Sequence, residues 1–150
     1  MKVIIQRVTH ASVSIKNKLY SEIVAGLLIF LGVGHDDTQE DIDWLAPKIA
    51  TLRIFSDSEG KMNLSLKDID GEALVVSQFT LMASTKKGNR PSFIDAAKPD
   101  LAVPMYETFV QRLEKELGKP IQTGKFGADM KVELLNDGPV TIIINTKNKS

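Results

Sequence analysis

Two histidines, His10 and His35, and no cysteine occur among the 150 residues. A Ser-His-Asp hydrolase needs an imidazole as base, but no Gly-x-Ser-x-Gly elbow accompanies either one. His10 stands between two apolar stretches beside Thr9 and Ser12, and His35 opens a loop next to Asp36 and Asp37. Both read as surface or turn residues. Zinc spacings such as His-Glu-x-x-His do not occur, so neither a metal nor another cofactor is expected. The acidic cluster Asp36, Asp37, Glu40 and Asp41 is most simply a helix N-terminus, where negative charge meets the positive end of the dipole. Gly32-x-Gly34 alone is too weak a signal for a phosphate loop.

The remaining chemistry lies in three segments. Ser77-Gln78-Phe79-Thr80-Leu81 ends an apolar run that starts at Leu74. Continued as a strand, it puts Ser77, Phe79 and Leu81 on one face and Gln78 and Thr80 on the other. In one reading the polar side chains face solvent while Phe79 and Leu81 point inward. In the other the strand's end lies in a pocket, where Gln78 and Thr80 offer an amide and a hydroxyl and Phe79 a backbone N–H. Residue types leave both open. In Asn136-Asp137-Gly138-Pro139, Asp-Gly between apolar runs suggests a type I′ hairpin. Pro139, however, occupies the position whose N–H would close the turn, and proline has none. Something else must hold this backbone, such as a cis Gly138–Pro139 bond. An exposed Gly-Pro presents carbonyl oxygens with little side chain in the way, acceptors that suit an ammonium group. The third segment, Ser84 to Pro91, carries Lys86, Lys87 and Arg90 and no acid. It is a solvated loop or a point of contact with phosphates, which a few cations can supply.

These segments need elements to position them. Strands are expected over Lys2–Val8, Ala11–Ile15, Leu19–Val24 and Leu27–Gly34, with a turn at Asn17-Lys18. Thr38 caps a helix in which Ile42, Leu45, Ile49 and Leu52 share a face. Pro47 should kink that helix or mark a late start. A strand over Leu74–Leu81 precedes a second helix, Val103 to Leu117, with Pro104 in its first turn. Strands Met130–Leu135 and Val140–Asn145 follow. Two helices cannot cover both faces of so many strands. The expected fold is therefore α/β, one domain over 1–150 of layered, mostly antiparallel sheets with both helices on one face. Lys147 to Ser150 read as a short polar tail.

Composition bounds the rest. The 43% hydrophobic and 25% charged residues are ordinary for a soluble globular chain. The longest apolar run, Leu27 to Val33, is too short to span a bilayer, and Met1–Arg7 is no signal peptide, so a cytoplasmic location is expected. Formal net charge is zero, which argues against gripping a long RNA backbone but not against recognising one RNA end.

Several segments together resemble a known family, the D-aminoacyl-tRNA deacylases. Ile5-Gln6-Arg7-Val8, Gly60-Lys61-Met62-Asn63, Ser77-Gln78-Phe79-Thr80-Leu81, Gly88-Asn89-Arg90-Pro91-Ser92-Phe93, Gly124-Lys125-Phe126-Gly127-Ala128-Asp129-Met130 and Asn136-Asp137-Gly138-Pro139-Val140-Thr141 carry the likeness. It implies a tRNA-binding hydrolase that cleaves the ester of D-aminoacyl-tRNA, and of mischarged glycyl-tRNA, as proofreading in translation. It implies a homodimer in which the Ser-Gln-Phe-Thr segment of one subunit meets the cis Gly-Pro of the other around the 3′ acceptor end. Carried over, Ser77, Gln78, Phe79 and Thr80 are catalytic, with Phe79 donating backbone N–H groups and Thr80 either a nucleophile or a bystander to the tRNA's own 2′-hydroxyl. Gly138 and Pro139 hold the α-ammonium, Arg7 fixes their orientation, and Met130 joins the substrate-binding set. The alternatives are a noncatalytic module for the tRNA acceptor end and a Thr80-dependent esterase for small molecules.

Overall fold

In the computed structural model, which describes residues 1–149, a single strand β1 (Lys2–Ile15) replaces the two strands expected before residue 16. The polar pair Thr9-His10 does not end it. It marks where β1 changes partner on one edge, from β3 (Gly26–Gly32), paired with Lys2–Val8, to β2 (Lys18–Ile23), paired with Ala11–Ile15. The β1–β2 turn is centred one residue earlier than expected, on Lys16 and Asn17, both with positive φ.

Helix α1 (Gln39–Thr51) follows, then a ribbon of β4 (Phe55–Ser56) and β5 (Met62–Leu64). Strand β6 (Glu72–Ser77) lies parallel to β3, and a 3-10 turn (Phe79–Met82) succeeds it. Helix α2 (Pro99–Leu117), β7 (Gln122–Thr123) and β8 (Lys131–Asn145) complete the chain. The main sheet runs β2-β1-β3-β6-β7, with β8 on the other edge of β1. Pairings of β1 are antiparallel, while β3–β6 and β6–β7 are parallel, so the sheet is mixed. It also curls: Ser21 on β2 donates its hydroxyl to the Thr123 carbonyl on β7 at 2.8 Å, nearly closing a barrel.

Alternation in the buried strands divides the core. Leu27, Ile29 and Leu31 of β3 join Val3 and Ile5 of β1 beneath Ile42, Leu45 and Ile49 of α1 and Phe109 and Leu113 of α2. The opposite face carries Leu28 with Val8, Val13, Leu74 and Val76 inside the curl. Both helices thus sit on one face, as expected. Helix α2 begins at Pro99 rather than Val103, so Pro104 lies inside it instead of in its first turn. Helix α1 runs through Pro47 from its Thr38 cap and does not start late.

The two strands expected on either side of Asn136–Pro139 are one, and the chain does not reverse there. Both halves of β8 pair with β1 in the same antiparallel sense, from Lys131 opposite Ser14 to Asn145 opposite Lys2. The register jumps from Asn136↔Val8 to Thr141↔Gln6, so residues 137–140 bulge out opposite Arg7 alone. No helix among the described residues is long and apolar enough to cross a membrane.

The chain end is fastened to the first turn of α1. Asp41 accepts the Thr38 N–H at 2.9 Å, the Thr146 hydroxyl, and the Lys147 ammonium at 3.1 Å. Burial opposes ionisation of Asp41, but the hydrogen bonds from Thr146, Thr38 and Lys147 outweigh it and hold the carboxyl at about 2. An unfolded chain would return it to the ordinary value near 3.8. Its stabilisation is therefore complete above that value and is lost as pH falls toward 2. Asp41→Asn should cost about 2 kcal/mol at pH 5–7. In urea unfolding curves, the gap from the parent protein should narrow steadily between pH 5 and pH 2.

Candidate active site

Strand β6 ends because the chain turns over β3. Ser77 is the last residue in register, opposite Leu31, and the Gln78 N–H still reaches the Leu31 carbonyl at 2.8 Å. The chain then winds into the 3-10 turn, with Leu81 N–H on the Gln78 carbonyl and Ala83 N–H on that of Thr80. Gly32 permits this fit: a Cβ there would lie 3.0 Å from both the Gln78 carbonyl oxygen and the Leu81 Cβ. The strand expected to continue to Leu81 is thus cut short, and strand alternation does not describe Gln78 to Leu81. Phe79 does not point inward; it is 54% exposed, with its ring edge-on to Phe93 at 5.1 Å.

The turn creates donors. Phe79 and Thr80 are its first two residues, so their N–H groups have no carbonyl behind them in the turn. Neither N–H has a backbone partner elsewhere among the described residues. Gln78 Nε2 donates to Thr80 Oγ1 at 2.5 Å. Among the described residues this amide is the only side chain bonded to the Thr80 hydroxyl, and an amide is no general base. His10 lines a separate depression with Ser12 and Glu22, and His35 is 3.7 Å from Asp95.

Ser77, Gln78, Phe79 and Met130 line one cleft of about 310 Å³, with Phe126 and residues 127–129. A second cleft of about 360 Å³ lies beyond Ser77, Phe79 and Phe126 and is floored by Ala97, Pro99 and Ala102. Met130 folds back over Gly124, where a Cβ would meet its sulfur at 2.6 Å. Sequence reasoning missed Phe126 and Phe93 as site walls. Their membership in Gly124–Met130 and Gly88–Phe93 was the available signal.

The Gly138–Pro139 peptide is cis and lies in the bulge of β8. Two side chains replace the missing ladder. Arg7 donates from Nε to the Asp137 carbonyl at 2.9 Å and from Nη1 to the Ile54 carbonyl at 2.8 Å. Asn136 accepts the Val140 N–H at 2.9 Å and donates to Thr141 Oγ1 at 3.1 Å. Neither Gly138 nor Pro139 pairs with β1, and both are exposed.

Within one chain, the two segments stay apart. Gly138 sits on β8 beside Arg7, which pairs with Leu27 of β3, whereas Ser77 pairs with Leu31 of that strand. Three strand spacings across and four residues along put them roughly 15–20 Å apart. Among the described residues strand β8 pairs with no strand other than β1, and Leu135 and Ile143 on it are exposed at 60% and 71%.

Residues 4–145 match the family described as D-Tyr-tRNA(Tyr) deacylase. A D-aminoacyl-tRNA deacylase of Flavobacterium psychrophilum is 64% identical over 149 residues, covering 99% of each chain. One of Parabacteroides distasonis is 61% identical with the same coverage. A solved structure described as a c-Myc DNA unwinding element binding protein superposes with a TM-score of 0.90 at 42% identity, over 97% of this chain and 98% of that one. Another, described as a probable eukaryotic D-amino acid tRNA deacylase, gives 0.82 at 17% identity over 95% and 97%, a likeness of fold.

Arg7→Lys removes the fork that reaches two carbonyls at once. It should cost about 1–2 kcal/mol in urea unfolding, with amide shifts concentrated at residues 136–141. Gly138→Ala should cost more. Its φ is +134°, and a Cβ would lie 2.8 Å from Val140 Cγ2 and 3.0 Å from Arg7 Nη2.

Proposed function

This chain belongs to the D-aminoacyl-tRNA deacylase family, and we propose that it hydrolyses the ester of D-aminoacyl-tRNA at a site shared between two copies. The observation that carries the reading is the cis Gly138–Pro139 bulge, exposed and held by Arg7 and Asn136. The carbonyl oxygens of these two exposed residues, Gly138 and Pro139, suit the α-ammonium of an aminoacyl ester. The N–H groups of Phe79 and Thr80 suit the ester carbonyl and the negative charge it acquires under attack.

Fixing the ammonium and the carbonyl leaves two directions at the substrate's Cα, one for hydrogen and one for the side chain. A backbone wall on one of them admits the D form and collides with the L side chain. Glycine has no side chain to collide, so glycyl-tRNA passes the same filter. Water adds to the carbonyl, the ester C–O bond breaks, and the departing ribose oxygen takes a proton. The products are free amino acid and tRNA. With only an amide on Thr80 Oγ1, we assign proton transfer to the substrate's neighbouring ribose hydroxyl and water, with Thr80 in a donor role.

The distance between the segments within one chain supports a site completed by a partner. The edge of β8 away from β1, with Leu135 and Ile143 exposed, supports a homodimer. A tRNA substrate supports a cytoplasmic location.

Incubation with matched D-tyrosyl- and L-tyrosyl-tRNA should release only the D-amino acid; equal release would overturn the reading. Thr80→Ala should keep kcat within about tenfold, whereas loss of a nucleophile would cost far more. Sedimentation at micromolar concentration should give a dimer, and a fully active monomer would contradict the shared site.

A further inference from the structure

The 3-10 turn does not run directly into α2. Between them the chain makes an excursion, Ser84 to Ser92, closed at its base by reciprocal backbone bonds between those serines at 2.8 and 2.9 Å. Both feet of this hairpin stand on the candidate site. One leaves the turn that carries Phe79 and Thr80 almost at once; the other returns as Phe93, whose ring packs edge-on against Phe79. Gly88, at φ +68°, makes the open tip.

The hairpin is positively charged in a protein whose formal net charge is zero. Lys86, Lys87 and Arg90 are all exposed, and none has an acidic partner among the described residues. No Asp or Glu occurs between Glu72 and Asp95, and Asp95 faces His35. By contrast, the half-buried Lys119 pairs with Asp70 and the exposed Lys131 with Asp129. Beside the cations lie exposed apolar groups, Phe79, Phe93 and Ile94, at 54%, 37% and 80%. Unpaired cations next to exposed aromatic rings form the combination that grips a single-stranded nucleic acid, phosphates on the charges and bases on the rings.

We propose that the Ser84–Ser92 hairpin is the RNA-backbone clamp of this enzyme, holding the phosphates just upstream of the esterified terminal nucleoside. The proposal rests on the deacylase reading and adds the surface on which the RNA lies. Each extended residue spans at most about 3.5 Å, so a strand leaving the cleft past Phe79 meets Lys86, Lys87 and Arg90 within its first few nucleotides. Contacts to phosphates here confer affinity and register and leave stereochemical choice to the cleft.

The test compares two substrates in the triple variant K86A/K87A/R90A. One is D-tyrosyl-tRNA; the other is the D-tyrosyl ester of adenosine, which has no phosphate. On the tRNA, KM should rise on the order of ten- to fiftyfold near 0.15 M salt with kcat unchanged. The slope of log affinity against log salt should flatten by about 2, the share of three single-strand phosphate contacts. On the nucleoside ester, kcat/KM should not change. The charge-conserving K86R/K87R/R90K should behave as the parent protein on both. Equal losses on the two substrates, or an unchanged salt slope, would overturn the proposal. Binding of deacylated tRNA, read by filter retention, separates this idea from the catalytic one. If the parent protein cleaves neither ester, the deacylase reading fails, while weaker tRNA binding by the triple variant still supports the clamp and equal binding refutes it.

Discussion

A strand hydrogen-bonded along both edges cannot absorb an irregularity in its partner, so the irregularity must leave the plane. Strand β1 is such a strand. It has β3 and then β2 on one edge and β8 along nearly all of the other. Where β8 offers residues 137–140 against Arg7 alone, the surplus has nowhere to go within the ladder. It is expelled, and Gly138 and Pro139 stand clear of the sheet. Arg7 shares a face of β1 with Val3 and Ile5, which are buried under the helices. Its backbone position is therefore fixed before its guanidinium engages anything. The candidate selector is a consequence of strand pairing, secured by two side chains.

The legible part of the fold was the part set by burial. Leu27 to Leu31 is apolar on both faces because it is covered on both faces, and Ile42, Leu45 and Ile49 follow the helical repeat because α1 packs through one stripe. Strands of two or three residues, such as β4, β5 and β7, are too short to display any period. At Thr9-His10 the sequence signals exposure, and exposure looked like a break; the backbone pairing with β8 nearby carries the strand onward.

The candidate site divides in the same way. Pro139 exposed its own anomaly, since a residue without N–H cannot close the turn that Asp137-Gly138 implies. The outcome differed from a modified hairpin: the chain does not reverse at all. For Ser77 to Leu81, residue types could not choose between a solvent-facing strand and a pocket. The deciding factor lies in another strand. Gly32 leaves room for the chain to wind down onto β3, so the strand ends at Ser77 and Phe79 turns outward. Such information is tertiary and has no local trace near residue 79. The distance between the two segments is likewise a property of sheet order.

The Arg7 guanidinium has a second hold that bears on how the protein tolerates change. Besides Asp137 it grips the carbonyl of Ile54, just beyond the end of α1 and just before the β4–β5 ribbon. The bulge on β8 and the connection after α1 are thereby one mechanical unit. Repacking of α1 at Ile49 or Ala50 thus has a route to the bulge, through the Ile54 carbonyl and Arg7, that alters no residue near it. Under the proposed function the gauge for mirror images is made of main chain, so its calibration is kept in the helix layer, among residues that never meet the amino acid being sorted.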